Sequence, residues 1–392
     1  MEESPLRRPL LTALVIGLAL CFLASVHAYI ATRLLIDPGV GSPWRELGLA
    51  GIALLGLTLV LQPILERSLR PPAARIVAWP ASLWMGFAFL ILLQLLVSDA
   101  LLWLGGSSAL AAAGPEAQAD AVGARAAIVA AVALVAGSVA LRGGLRPPSL
   151  VRIEIPLTRW PRELDGFRIA QISDVHIGSL LGRDFAARLV ERVNALDADL
   201  VAVTGDLVDG GVRQLRDEVA PFEGLSGRHG VFFVTGNHDH YSGARDWAAC
   251  ASELGMQVLR NERVEIEQGG NVFDVVGVDD HRGDMLGREG GEDLDAALAG
   301  RDPSRPALLL AHDPSTFKRA SQLGIDLQIS GHTHGGQIWP FRWFVRLATP
   351  FVAGRYARGD AQLYVSRGTG FWGPPMRLFA PAEITEITLR AA

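Results

Sequence analysis

Cysteine is nearly absent from this chain of 392 residues: Cys21 lies inside an apolar run and Cys250 in a helix-like stretch. Two such residues build no disulfide framework and offer no thiolate cluster for a soft metal. A basic excess is lacking as well. The first 150 residues hold 10 of the 36 basic and 8 of the 41 acidic residues, so the rest carries 26 and 33, a net of −7. A nucleic-acid partner ordinarily demands a basic surface, and none is expected here. No internal repeat is visible, and low complexity is confined to an Ala/Gly-rich stretch at residues 105–123, expected to be a loop.

Acidic and basic side chains are what residues 10–32, 47–65 and 76–98 lack. Each run approaches the roughly 20 apolar residues that a helix needs to cross a hydrocarbon core. A fourth run, residues 121–141, qualifies if Arg125 reaches back to the interface. Residues 1–148 therefore read as an all-α membrane region of about four spans. Arg7 and Arg8 resemble the charged leader of a signal peptide, but the run behind them is too long for one and further spans follow. Only His27 and Arg125 are ionisable within the runs, which is little material for an ion route. Arg7 and Arg8, then Arg67, Arg70 and Arg75, then Arg142, Arg146 and Arg152 flank one side of the spans, against Arg33, Arg45 and Arg125 on the other. That bias predicts a multi-pass protein of the cell membrane with the C-terminal domain in the cytoplasm. Without the fourth span the domain would change side.

Paired glycines and prolines at residues 142–148 close the membrane region, and residues 149–392 have the length of one domain. Residues 151–156 alternate like an edge strand. Short β-branched apolar runs at 167–173, 200–204, 231–235, 307–311 and 327–330 read as buried strands, with helical patterns at 184–196, 213–222, 244–254 and 293–298 between them. The alternation predicts an α/β domain with much of its sheet parallel. Strand follows strand over residues 264–278, and 362–365 and 384–389 add more, so a second sheet packed on the first is expected.

Each buried run ends in a polar motif: Asp174-Val175-His176, Gly205-Asp206, Gly236-Asn237-His238-Asp239, His312, and Gly331-His332-Thr333-His334. Carboxyl ends of parallel strands open onto the crevice where ligands bind, so the five motifs can converge. A lone Asp or His at a strand end is more often a turn cap than a ligand. Here five of the domain's eight histidines fall in these motifs, while His229 and His281 read as loop residues and His240 as a candidate to line the pocket. Carboxylate, amide and imidazole donors suit divalent Mn, Zn or Fe. Asp174 and His176 reach one ion only if the chain bends, which Gly178 permits. Asp206 is the natural bridge, with an oxygen for each of two ions. Asp209 is equally a turn residue or an acceptor for a ligand imidazole.

The ordered series resembles the calcineurin-like metallophosphoesterases over residues 167–389. The tail motif Arg367-Gly368-Thr369-Gly370, followed by Pro374, Pro375 and Arg377, is similar to a membrane-associated, YkuE-like branch, and the front end resembles its transmembrane members. The resemblance implies a two-sheet sandwich flanked by helices. It implies one ion on Asp174, His176 and His334, a second on Asn237, His312 and His332, and Asp206 between them. His238 matches the catalytic histidine and Asp239 its acidic neighbour, expected to hold the His238 tautomer. Two ions about 3.5–4 Å apart would make a bridging hydroxide that attacks phosphorus in line.

For the substrate, Trp339, Phe341, Trp343, Phe344 and Phe351 with Arg342 and Arg346 directly follow the last ligand motif, and Phe371 and Trp372 come later. This mixture suits a membrane interface beside the site, with core filling as the even alternative. A lipid-linked phosphodiester, pyrophosphate or phosphomonoester is the leading expectation. A soluble nucleotide or phosphoprotein is the runner-up, and a non-catalytic, metal-binding membrane scaffold is the reading from another class.

Overall fold

A computed structural model describes residues 7–104, 114–285 and 290–392, so residues 105–113 of the Ala/Gly-rich stretch lie outside the described residues. The chain forms two compact units, one of Met1–Leu65 and Ile76–Val139, the other of Glu66–Arg75 and Ala140–Ala392.

The first unit holds α1 (Arg7–Ala31) and most of α2 (Trp44–Ser68), α3 (Pro71–Leu104) and α4 (Pro115–Leu145), while Glu66–Ser68, Pro71–Arg75 and Ala140–Leu145 fall in the second. All four are long and apolar enough to cross a membrane. Residues 115–120, expected as loop before the fourth span, are already helix: Pro115 suits a first helical position, and Glu116 falls where the helix dipole favours an anion. Leu14, Phe22, Leu54, Leu101, Trp103 and Leu134 are exposed, a surface that suits hydrocarbon rather than water. Polar groups find partners within the unit. Trp84 Nε1 donates to His27 Nε2 at 2.8 Å, and His27 Nδ1 lies 2.7 Å from the Leu23 carbonyl. Arg125 finds its partners on α3. It pairs with Asp99 and donates to Ser98 Oγ at 2.8 Å, because α3 runs on to Leu104 and carries Asp99 into the helix. Arg33 and Tyr29 also donate to Asp99, at 2.9 and 2.5 Å, and together these donors offset the cost of a carboxylate in an apolar setting.

The second unit holds two sheets. The first contains β1 (Ser149–Leu157), β2 (Arg168–Ile172), β3 (Leu200–Thr204), β4 (Val231–Val234), β5 (Gln257–Val258) and β12 (Glu383–Ala391), in the order β1-β12-β2-β3-β4-β5. The second contains β6 (Glu262–Gln268), β7 (Asn271–Gly277), β8 (Ala307–Leu310), β9 (Leu327–Ser330), β10 (Gly354–Arg358) and β11 (Ala361–Val365), in the order β10-β11-β9-β8-β7-β6. β2 to β5 are parallel, as are β7, β8, β9 and β11. β12 runs antiparallel to β2, and β1 takes the edge that its alternating pattern predicts.

Side-chain alternation builds the layers. Leu200, Ala202, Phe232 and Val234 meet Phe273, Val275, Leu308, Leu310 and Ile329 between the sheets. Val201, Val203 and Phe233 point the other way, onto Leu189 and Val193 of the helix Arg183–Asn194 and Trp247 of the helix Ala244–Glu253. Val276 and Leu309 face Leu294 and Ala297 on the outer side of the second sheet. A truncation such as Phe232→Ala in the middle layer would cost about 3–5 kcal/mol. The sandwich and its flanking helices therefore follow the expected plan. Because the central strands are parallel, β2, β3 and β4 deliver their motifs at one end of the first sheet, and β8 and β9 do the same for the second.

Candidate metal centre

All the motif residues converge, and they do so through unusual backbone. Asp174, His176, Asp206, His332 and His334 have φ of 51°, 52°, 52°, 72° and 50°, the left-handed region that non-glycine residues seldom enter. Such conformations cost roughly 1–3 kcal/mol each and persist where the surroundings over-determine them. The bend at Asp174 to His176 is made by these two residues themselves. Gly178, expected to permit it, is not in that region. Gly205 is there for close approach: with φ 84°, a Cβ on it would stand 2.6 Å from His312 Nδ1. At Gly331 a Cβ would stand 1.9 Å from Ser173 Oγ and 2.2 Å from Asp174 Oδ2.

The donors form two sets meeting at Asp206. In the first, one ligand atom each of Asp174, His176 and His334 lie within 4.8 Å of one another, with His176 Nε2 and His334 Nε2 only 3.1 Å apart. Asp206, His312 and His332 form the second, where His312 Nε2 and His332 Nδ1 stand 3.2 Å apart. Asp206 was expected to give one oxygen to each ion. Its Oδ1 accepts the His238 backbone N–H at 2.7 Å, and its Oδ2 faces both sets, 3.2 Å from His312 Nε2 and 3.8 Å from His176 Nε2. Asn237 opens the helix Asn237–Ser242, and its buried Oδ1 has no hydrogen-bond partner.

These features fit divalent cations. Each imidazole couple can share one proton at this distance or turn both lone pairs to a cation, and the orphaned Asn237 amide oxygen, which costs about 1–3 kcal/mol unless something takes up its lone pairs, favours the cation. Burial, with the neighbouring His176 and Arg377, pushes His334 well below the ordinary imidazole range. His332 is lowered by burial and by His312. Both are neutral bases, the form that ligates. His312 is the opposite case: burial pushes it down, but the Asp206 charge raises it well above its ordinary value, a proton standing where a cation would.

The supports differ in part from expectation. Asp239 does not orient His238. Its carboxylate accepts the backbone N–H groups of Asp206, Leu207, Val208 and Gly236 at 2.8–3.3 Å, pinning two ligand loops together. His238 is held by Asp209, whose Oδ1 lies 2.7 Å from His238 Nδ1 and 2.9 Å from His176 Nδ1. Asp209 is therefore the acceptor for a ligand imidazole. Burial pushes His238 down, and the Asp209 hydrogen bond with the Asp206 charge overcomes this to raise it to about 9. His240 is buried against Thr235 Oγ1 at 3.1 Å and supports the loop from behind. His229 lies outside, bonded to Gln268 at 2.7 Å.

The tail motif closes over the first ligand loop: Thr369 N donates to Ser173 O at 2.7 Å and Gly370 N to Asp174 O at 2.9 Å. Arg377 is buried and donates to Gly370 O at 2.7 Å, with His334 Nδ1 at 3.2 Å from the same nitrogen. Trp372 and Tyr241 flank the His238 ring at 5.9 and 5.3 Å between centroids. His281, expected to be an ordinary loop residue, groups with Asp280 and Asp313, a set no single sequence motif announces.

The fold and this centre define a two-sheet α/β domain whose strand ends carry a candidate metal centre. The model of the calcineurin-like phosphoesterases matches residues 167–336. A transmembrane protein with metallophosphoesterase domain from Bos taurus is 40% identical over 279 residues, 68% of this chain and 63% of that protein. The uncharacterized metallophosphoesterase YkuE of Bacillus subtilis (strain 168) is 30% identical over 278 residues, 66% of this chain and 94% of that protein. The chain belongs to the calcineurin-like metallophosphoesterases. It spans 63% and 62% of the length of the matched bovine and Danio rerio transmembrane relatives. A solved dimetal phosphatase from Danio rerio aligns with 52% of this chain and 88% of its own at 16% identity and a TM-score of 0.36.

Proposed function

We propose that the protein is a membrane-anchored phosphoesterase that uses two divalent cations, of which Mn, Zn and Fe suit the donor set. The observation that carries this is the pair of facing imidazole couples, 3.1 and 3.2 Å apart, on either side of Asp206. Asp174, His176 and His334 would hold one cation, Asn237, His312 and His332 the other, with Asp206 Oδ2 between them. Cations bound there polarise phosphoryl oxygens and lower the pKa of water. The chain's own contribution centres on His238. Its Nδ1 is fixed on Asp209, so Nε2 is the atom that would hold a proton for the departing oxygen, and the Asp209 hydrogen bond favours the protonated ring. Treating the detergent-solubilised protein with a chelator should abolish hydrolysis of a generic phosphodiester such as bis-p-nitrophenyl phosphate, and returning Mn²⁺ should restore it. Turnover indifferent to chelation would overturn the proposal.

The exposed aromatic surface favours a lipid-linked substrate. Trp339, Phe341, Trp343 and Phe344 are 40–57% exposed, while Leu347 and Phe379 exceed 80%. Gln337 ties this segment to Trp372, beside His238, through Nε2 to Trp372 O at 2.8 Å and Trp372 N to Oε1 at 3.0 Å. An apolar, arginine-flanked surface next to the reacting position suits a headgroup presented at a bilayer. A cytoplasmic position follows from the arginine bias and gains support from the second unit, which includes Glu66–Arg75. Arg75 Nε donates to Ser179 O, and Gln214 Nε2 to Arg67 O, both at 2.8 Å. The loop between α2 and α3 thus shares a body with the proposed catalytic residues, as an even number of crossings between them would have it.

A further inference from the structure

One donor cluster in the second unit is used neither by the paired centre nor by its supports. A carboxylate oxygen from each of Asp280 and Asp313 and a ring nitrogen of His281 lie within 4.8 Å of one another. Asp280 and His281 follow β7, and Asp313 follows β8 directly after His312, so the adjacent strands bring the three together. Asp280 is 2% exposed and Asp313 8%.

The pairing inside this cluster is incomplete. Asp280 Oδ1 accepts the Arg282 backbone N–H at 2.9 Å, but Oδ2 is buried without any hydrogen-bond partner. Asp313 Oδ1 accepts from Ser315 N at 2.8 Å, whereas Oδ2 stands 3.8 Å from His281 Nδ1 and 3.7 Å from His332 Nε2, beyond hydrogen-bond range. Among the described residues no arginine or lysine pairs with either carboxylate. A third carboxyl, Glu292, is close enough to feel all three groups; burial raises its pKa, with Asp313 and Asp280 adding to the push and Thr316 and His281 opposing it. Carboxylates gathered in a buried place with an open oxygen are costly unless a cation compensates them. A role for Asp313 in orienting His332 would account for Asp313 alone, and would leave the open oxygen of Asp280 and the position of His281 unexplained.

We propose that Asp280, His281 and Asp313 form a third divalent-cation site, on the side of the His332 ring opposite the nitrogen that faces His312. Two carboxylates and one imidazole suit a hard or borderline ion such as Mn²⁺. The test is Mn²⁺ content after equilibrium dialysis of the full-length protein in detergent, for wild type, Asp280→Asn and His281→Gln. Each variant should bind one Mn²⁺ fewer per chain than wild type, while the electron paramagnetic resonance signal of a spin-coupled Mn²⁺ pair persists. His281→Gln changes a half-buried residue and decides the matter if Asp280→Asn fails to fold. Unchanged Mn²⁺ content in a folded variant would overturn the site, as would loss of the coupled signal together with the ion, which would assign these residues to the main centre. A wild type with no coupled signal would count against the paired centre, not against this site, which is read from the one-ion difference.

Discussion

Asp209 carries more of the site than its place three residues past Asp206 suggests. One oxygen holds both His176 and His238, so an imidazole of the first donor set and the proton-holding imidazole share a support. Removing its charge leaves burial, which lowers the His238 pKa, less opposed. Asp209→Asn should therefore move the alkaline fall of kcat/KM to lower pH and reduce activity on the order of 10–100-fold, as losses of such outer partners do. A pH–rate profile of the variant checks this, and an unmoved alkaline limb would contradict it. Asp239 shows why the sequence could not assign these partners. Adjacent to His238 in the chain, it was the obvious acceptor, but the helix beginning at Asn237 turns its carboxylate back onto four backbone N–H groups. Residues distant in sequence settle such pairings. The five left-handed residues were equally hidden, because Asp and His at strand ends carry no mark of positive φ.

Strands and their ends were the legible elements. A short β-branched run that stops at a polar motif can hardly be anything but a buried parallel strand opening onto a crevice, and β2, β3, β4, β8 and β9 all obey. The start of α4 was less legible, since alanine and glycine read as loop until Pro115 and Glu116 are recognised as helix-opening residues. Aromatic content placed Trp339 to Phe344 near the site, but composition could not decide between core and surface. The structure puts them outside, on and before the short helix Arg342–Ala348, where Arg346 lies 5.1 Å from the Trp343 ring centre. Replacing Trp343 and Phe344 with Ser should therefore lower turnover of substrate embedded in vesicles while sparing a small soluble phosphodiester at saturation. Core-filling residues would instead cost several kcal/mol, about 3–5 for each large aromatic, and depress both activities with the melting temperature. Equal loss on both substrates with a lower Tm would move the soluble substrate into first place.

At the scale of the whole molecule, the partition of the chain is informative. Arg67, Arg70 and Arg75 carry the basic bias expected of a cytoplasmic loop, and the same residues belong to the unit that carries the candidate metal centre. Reporters of sidedness fused after Pro148 and inserted at residue 69 should both report the cytoplasm; a signal from the far side of the membrane after Pro148 would sink this topology. Sheet order lay beyond the sequence, because which parallel strand neighbours which depends on long-range pairing, as in β12 inserting between β1 and β2. In the proposed function Asp206 joins two bound cations while His238 serves the substrate. Metal content measured alongside kinetics for Asp206→Asn and His238→Ala separates these roles. Asp206→Asn should lose metal and turnover together, and His238→Ala should keep most of its metal while turnover falls about 10²–10⁴-fold. Full activity in either variant, or complete metal loss in His238→Ala, would contradict it.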